Sequence, residues 1–213
     1  MRGLLAGLTP AARGAVLGVL GVVAVLAAVG GVWAFLQQRE TSARQAFAAA
    51  ASAYQAAMAE GSEGSPLAEA ARTLKQFVND YPRYASATSA WYFLGNVEYR
   101  KGGHDAAIAA FDEAAKRSST SIGVLSWLGS GYAWEAKQDP GKALVSYEQG
   151  LKGRGPKDFQ YAELLLGVAR AQEQLKQPAA AIATYRRLLK EAPEAPGAAE
   201  ARGRLAILGA PAA

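Results

Sequence analysis

The chain has 213 residues, with 23 Lys and Arg against 18 Asp and Glu and a formal net charge of +5, enough length for one domain and an appendage. Basic residues are scattered among acids, with no stripe of Lys and Arg interleaved with aromatics, which argues against nucleic acid as a partner. Cysteine is absent, and with it disulfides, thiolate metal sites, cysteine nucleophiles and lipidation at cysteine.

A short tail, residues 1–13, carries Arg2 and Arg13. Residues 14–36, GAVLGVLGVVAVLAAVGGVWAFL, contain no charge. As a helix they span roughly 35 Å, enough to cross a bilayer core, and a helix satisfies its own backbone hydrogen bonds in hydrocarbon. Trp33 and Phe35 stand near one end, where aromatics favour the interface. A cleaved signal peptide is the alternative, and Val32-Trp33-Ala34 loosely fits a cleavage site. A signal core, however, runs to only about 7–15 residues, so the expectation is a retained transmembrane helix in the lipid bilayer. Arg2 and Arg13 precede it, and Arg39, Glu40 and Arg44 follow. The positive-inside rule then leans towards a cytoplasmic N-terminus. Gly14 with Gly18 and Ala27 with Gly31 have the spacing of small-residue helix contacts, although an Ala-rich chain produces such pairs by composition alone.

From residue 41 onward apolar residues recur with helical period, broken by Gly, Pro and Ser. Strict alternation of β-branched residues is missing, so the expected class is all-α. The breaks are periodic. Ala70, Ala107, Ala143 and Ala181 are spaced 37, 36 and 38 residues apart, and four residues on from each stand Leu74, Phe111, Tyr147 and Tyr185. Twelve residues before the alanines are Met58, Gly95, Gly131 and Ala169; sixteen before are Tyr54, Trp91, Trp127 and Leu165. Twelve after are Pro82, Ser119, Gly155 and Pro193, residues that end helices. Two antiparallel helices joined by a short turn pack closely only where one side chain is nearly absent. The large residue on the other helix fills the space towards the next pair.

WYFLGNVEYRKGGHDAAIAAF (91–111) and LLLGVARAQEQLKQPAAAIATYRRLLKEAP (164–193) resemble tetratricopeptide repeats. The resemblance implies that the transmembrane helix read from residues 14–36 is followed by an α-solenoid of antiparallel helix pairs with a capping helix. The units are residues 51–84, 88–121, 124–157 and 162–195, within a repeat domain of 45–208. Residues 37–60 form a stalk or first helix, 196–208 the cap, and 209–213 a tail. The third unit departs from the family pattern at Ser130, where leucine is usual, and at Gly150, where alanine is usual. The first unit departs most, with a mostly alanine helix and GSEGSP (61–66) in place of a tight turn.

Such a stack presents a concave face lined by the first helix of each pair. The lining positions are Tyr92, Asn96 and Tyr99, then Leu128, Tyr132 and Glu135, then Leu166, Arg170 and Glu173. Tyrosine offers apolar area and a polar tip at low entropic cost, which suits a protein-binding groove. Tyr132 and Arg170 are expected to be replaceable without unfolding. Some members of the family grip a C-terminal carboxylate with lysine and asparagine; Asn96 matches one such position, but Tyr92 and Glu163 stand where cations belong. Capture of chaperone tails in that manner is therefore not expected.

No enzyme, cofactor or metal site is expected. The lone histidine, His104, lies in the turn KGGHDA as a solvated residue with no second ligand nearby, and no glycine loop matches a nucleotide motif. The layout resembles the ancillary subunit of the bacterial Sec translocon. That resemblance implies an inner-membrane adaptor with a periplasmic repeat domain and translocon, chaperone or envelope-complex subunits as protein partners. FVNDYPRYASATSAWYFLG (77–95) is also similar to repeat units of outer-membrane assembly lipoproteins and envelope-division coordinators, but the lipidated cysteine of the former is lacking. The alternatives are a self-assembling scaffold, which would be a homo-oligomer, and the same adaptor facing the cytoplasm.

Overall fold

A computed structural model describes residues 9–59 and 63–211. Among the described residues there are nine helices and no strand, the all-α class expected. They are α1 (Pro10–Met58), α2 (Ser65–Asp80), α3 (Ser86–Arg100), α4 (His104–Arg117), α5 (Ser121–Ala136), α6 (Pro140–Leu151), α7 (Tyr161–Gln174), α8 (Pro178–Glu191) and α9 (Ala198–Ile207). The GSEGSP turn lies partly outside the described residues.

The chain divides into residues 1–45 and residues 46–213. In the first unit α1 is long and apolar enough to cross a membrane, with none of its most apolar stretch buried. Leu17, Val25, Leu26, Trp33 and Phe35 all stand exposed. Where charge resumes, Glu40 and Arg44 form an ion pair one turn apart.

The second unit is a stack of helix pairs. Each helix from α2 to α9 contacts the next, and α3 touches α5 as α5 touches α7. The first helices of successive pairs therefore form one layer and the second helices another. The end of α1 supplies the first helix of the first pair: Ala50 and Ala57 are buried with Leu74, Phe77 and Leu94 in one cluster. Phe47 lies against Phe77 with ring centroids 5.4 Å apart, and Tyr54 stacks on Phe93 at 4.2 Å.

The repeated small residues have the packing role read from their spacing. Ala70, Ala107, Ala143 and Ala181 are fully buried, as are Leu74, Tyr147 and Tyr185, and Phe111 is 1% exposed. A Cβ on Gly95 would stand 2.5 Å from the Phe111 ring, and one on Gly129 would stand 2.7 Å from the same ring. Tyr147 is held in the same way, 2.2 Å from a Cβ at Gly131 and 2.8 Å from one at Gly167. Each ring fills the gap between its own pair and the next, and close packing leaves no volume for a side chain on either flank. Ser130, the departure from leucine, is buried; its hydroxyl donates to Asp112 Oδ1 at 3.1 Å and takes a longer bond from Ser146 at 3.4 Å. A polar contact thus replaces an apolar one, and burial pushes the Asp112 carboxyl above its ordinary range.

The turns inside successive pairs share one geometry. Gly102, Gln138 and Lys176 all adopt left-handed backbone, with φ of 78°, 60° and 58°. The residue after each donates to a carbonyl five positions earlier: Gly103 to Glu98, Asp139 to Trp134 and Gln177 to Gln172. Only glycine enters this region without a Cβ penalty. Lys176→Gly is therefore expected to raise stability by about 0.5–1 kcal/mol, read as a higher midpoint in chemical denaturation. Gly102→Lys should lower it.

A candidate protein-binding face

The face expected to carry function is built by the first helices, α3, α5 and α7, with the end of α1 on one side and α9 on the other. The structure divides it into two halves of different chemistry.

At the α1–α3 end the side chains are mostly aromatic, with one cation, Arg100, donating to the Ala57 carbonyl at 2.9 Å. Asn96 Nδ2 donates to the Tyr54 hydroxyl at 3.2 Å, and burial pushes the Tyr54 phenol above its ordinary value. Tyr92 is half-buried, 6.0 Å from the Phe93 ring and 6.1 Å from Phe111. Tyr99 is 37% exposed, with its ring 5.5 Å from His104. His104 itself departs from the solvated turn residue expected. It opens α4, is half-buried, and its Nδ1 is shielded without a hydrogen-bond partner.

At the α7–α9 end the side chains are charged and mutually satisfied. The Arg170 guanidinium lies 5.7 Å from the Tyr132 ring centroid, pairs with Glu135 at 3.4 Å and reaches Glu200 at 3.7 Å. Burial works against its charge, but the Glu135 carboxylate, with the Tyr147 and Tyr132 phenols adding to it, holds its pKa above the ordinary arginine value. The Tyr132 hydroxyl donates to Glu163, and burial with that carboxylate drives the phenol far above its usual range. Arg204 pairs with Glu173, which also accepts the Tyr185 hydroxyl at 3.1 Å. Burial, with Glu200 adding to it, pushes that phenol up to about 12. Arg170, Glu173, Gln174, Glu200 and Arg204 line a depression of about 290 Å³.

The nine expected lining positions therefore separate. Tyr92, Asn96, Tyr99, Tyr132, Glu135, Arg170 and Glu173 keep some exposure. Leu128 and Leu166 do not: they are 6% and 2% exposed and pack into the core. They are one residue along from Trp127 and Leu165 in the sequence, and a helix wedged between two neighbours buries both flanks of its apolar stripe. Tyr54, Glu200 and Arg204 join the face without having been singled out. Glu200 and Arg204 are four apart on the final helix, the spacing that puts two side chains on one face. Among the described residues no cluster of three or more His, Asp or Glu could hold a metal ion.

Residues 54–122 and 163–195 match tetratricopeptide-repeat families. No curated protein sequence matches the chain. Among solved structures it is similar to MamA from Desulfovibrio magneticus RS-1, at 17% identity and TM-score 0.60 over 77% of this chain and 84% of that one. It is also similar to a tetratricopeptide repeat protein from Parabacteroides merdae, at 18% identity and TM-score 0.62 over 77% of this chain and 59% of that one. YrrB, described as a repeat protein with an unusual peptide-binding site, is similar at 16% identity and TM-score 0.53 over 67% of each chain. At these identities the likeness is one of fold, and the fold is a tetratricopeptide-repeat solenoid.

Proposed function

We propose that this chain is a membrane-anchored adaptor that holds a segment of a partner protein against the first-helix face of its repeat stack. The observation that carries the reading is the division of that face. Tyr92, Asn96 and Tyr99 keep exposed area beside Tyr54, while the charges of the other half already satisfy one another. The segment that fits is extended and able to hydrogen-bond to tyrosine and amide tips. A terminal carboxylate fits poorly, because Arg170 and Arg204 are each engaged by carboxylates of the chain itself. The description of YrrB as peptide-binding supports the same use of this fold.

The apolar part of α1 is read as the anchor, in the bacterial inner membrane, with the repeat stack in the periplasm. This layout is similar to that of the Sec ancillary subunit, and the partner is sought among translocon, chaperone or envelope-complex subunits. A crosslinkable residue replacing Tyr99 in cells tests the reading, since Tyr99 is the most exposed member of the aromatic half. A discrete adduct with another protein is the expected result, and that protein's compartment reports the orientation. Tyr99→Ala should then weaken binding about tenfold, or roughly 1.4 kcal/mol, without shifting the melting temperature. An adduct with a second copy would replace the adaptor with a self-assembling scaffold. A folded domain that crosslinks to nothing would remove the aromatic half as the binding face.

A further inference from the structure

Away from the first-helix face, the ends of α4 and α6 and the start of α5 surround a cavity of about 690 Å³. Its lining includes Lys116, Arg117, Lys152 and Arg154 and no carboxylate. Basic residues at helix C-termini are ordinary, because they complement the helix dipole. Their counter-charges here are few. Glu113 pairs with both Lys116 and Arg117, and Arg117 also donates to the Pro82 carbonyl at 2.9 Å. Arg154 is held by backbone oxygens, donating to the Gly150 carbonyl at 2.9 Å and the Ser119 carbonyl at 3.2 Å. Neutral carbonyls fix its guanidinium in place and leave its charge uncompensated. A second basic depression, along α8, includes Glu191, which pairs with Arg187 at 3.1 Å. The α4–α6 cavity is different in having its positive charge left over.

The walls are also fixed. A Cβ on Gly123 would stand 1.8 Å from the Ser118 carbonyl, so the loop before α5 lies directly on that helix. Ser118, Ser119 and the half-buried Trp127 complete the lining, the Ser118 hydroxyl accepting from the Thr120 N–H at 3.1 Å. α5 begins at this cavity without a side-chain cap, which directs the positive end of its dipole towards the same space.

We propose that this cavity is an anion site for a phosphate group, carried either by a soluble phosphate or by a phospholipid headgroup. Several cations contributed by different elements match a tetrahedral oxyanion better than a planar carboxylate, which one guanidinium fork satisfies. The cavity volume accommodates a phosphate and part of the group that bears it.

Lysine acylation read by mass spectrometry tests the site on the full chain. In neutral detergent, inorganic phosphate should slow labelling of Lys116 and Lys152 at least threefold against chloride at equal ionic strength. Exposed Lys75, on α2, should be unaffected. In nanodiscs, the same protection on adding phosphatidylglycerol to phosphatidylcholine would assign the phosphate to a lipid headgroup. Protection by phosphate alone would assign it to a soluble ligand. Lys152→Glu should abolish the protection of Lys116. If that variant melts early, Lys116→Glu with Lys152 as the reporter serves in its place. Equal labelling with phosphate, chloride and both lipid compositions, or protection that survives both substitutions, would overturn the proposal.

Discussion

Arg170→Glu is expected to destabilise the repeat stack by about 3 kcal/mol, the scale of breaking a largely buried ion pair, rather than to alter partner binding alone. Arg170 lies between Glu135 and Glu200, with its side chain 22% exposed and that of Glu135 17% exposed. The substitution removes the cation they share and adds a third carboxylate. Thermal melts at neutral pH should therefore place the variant well below the parent. An unchanged melting temperature at neutral pH would show that Arg170 is an ordinary surface residue, as its sequence position alone suggests. Arg170→Gln, which removes charge without adding any, should fall between the two.

Gly131→Val is expected to cost about 3 kcal/mol, the upper end of the range for overfilling a packed core. At roughly 2–4 °C per kcal/mol for a domain of this size, its melting temperature should fall about 6–12 °C. A Cβ at this position meets the Tyr147 ring at 2.2 Å, and the ring cannot retreat, because Gly167 holds its other side. Tyr147→Leu in the same chain should recover part of the loss by removing ring volume. Additive losses in the double variant would mean that the two residues do not share one contact.

Some of this was legible before any coordinates. The offset between Gly95 and Phe111, and between Gly131 and Tyr147, is a property of helix geometry. Two helices crossing at fixed turn length bring the same positions together in every unit, so the contact recurs in sequence. A turn was legible at KGGHDA, but its left-handed backbone was not, and the repeat imposes the same backbone at Gln138 and Lys176, on residues that do not prefer it. Leu128 and Leu166 were misplaced on the open face because their surroundings belong to the neighbouring pair. Arg170 looked free for the same reason: Glu135 lies on another helix, and Glu200 comes from the cap.

The sequence by itself determined the all-α class, the register of the repeat and the long apolar helix, because each depends on periodicity within one or two adjacent helices. Only the tertiary structure decided which positions on the first-helix face remain open, which charges cancel, and where positive charge is left over between α4 and α6. Those outcomes depend on side chains roughly 30 or more residues apart meeting across a helix interface. The free energy of a charge is set by the partners and solvent around it in space, which its neighbours in the chain do not specify.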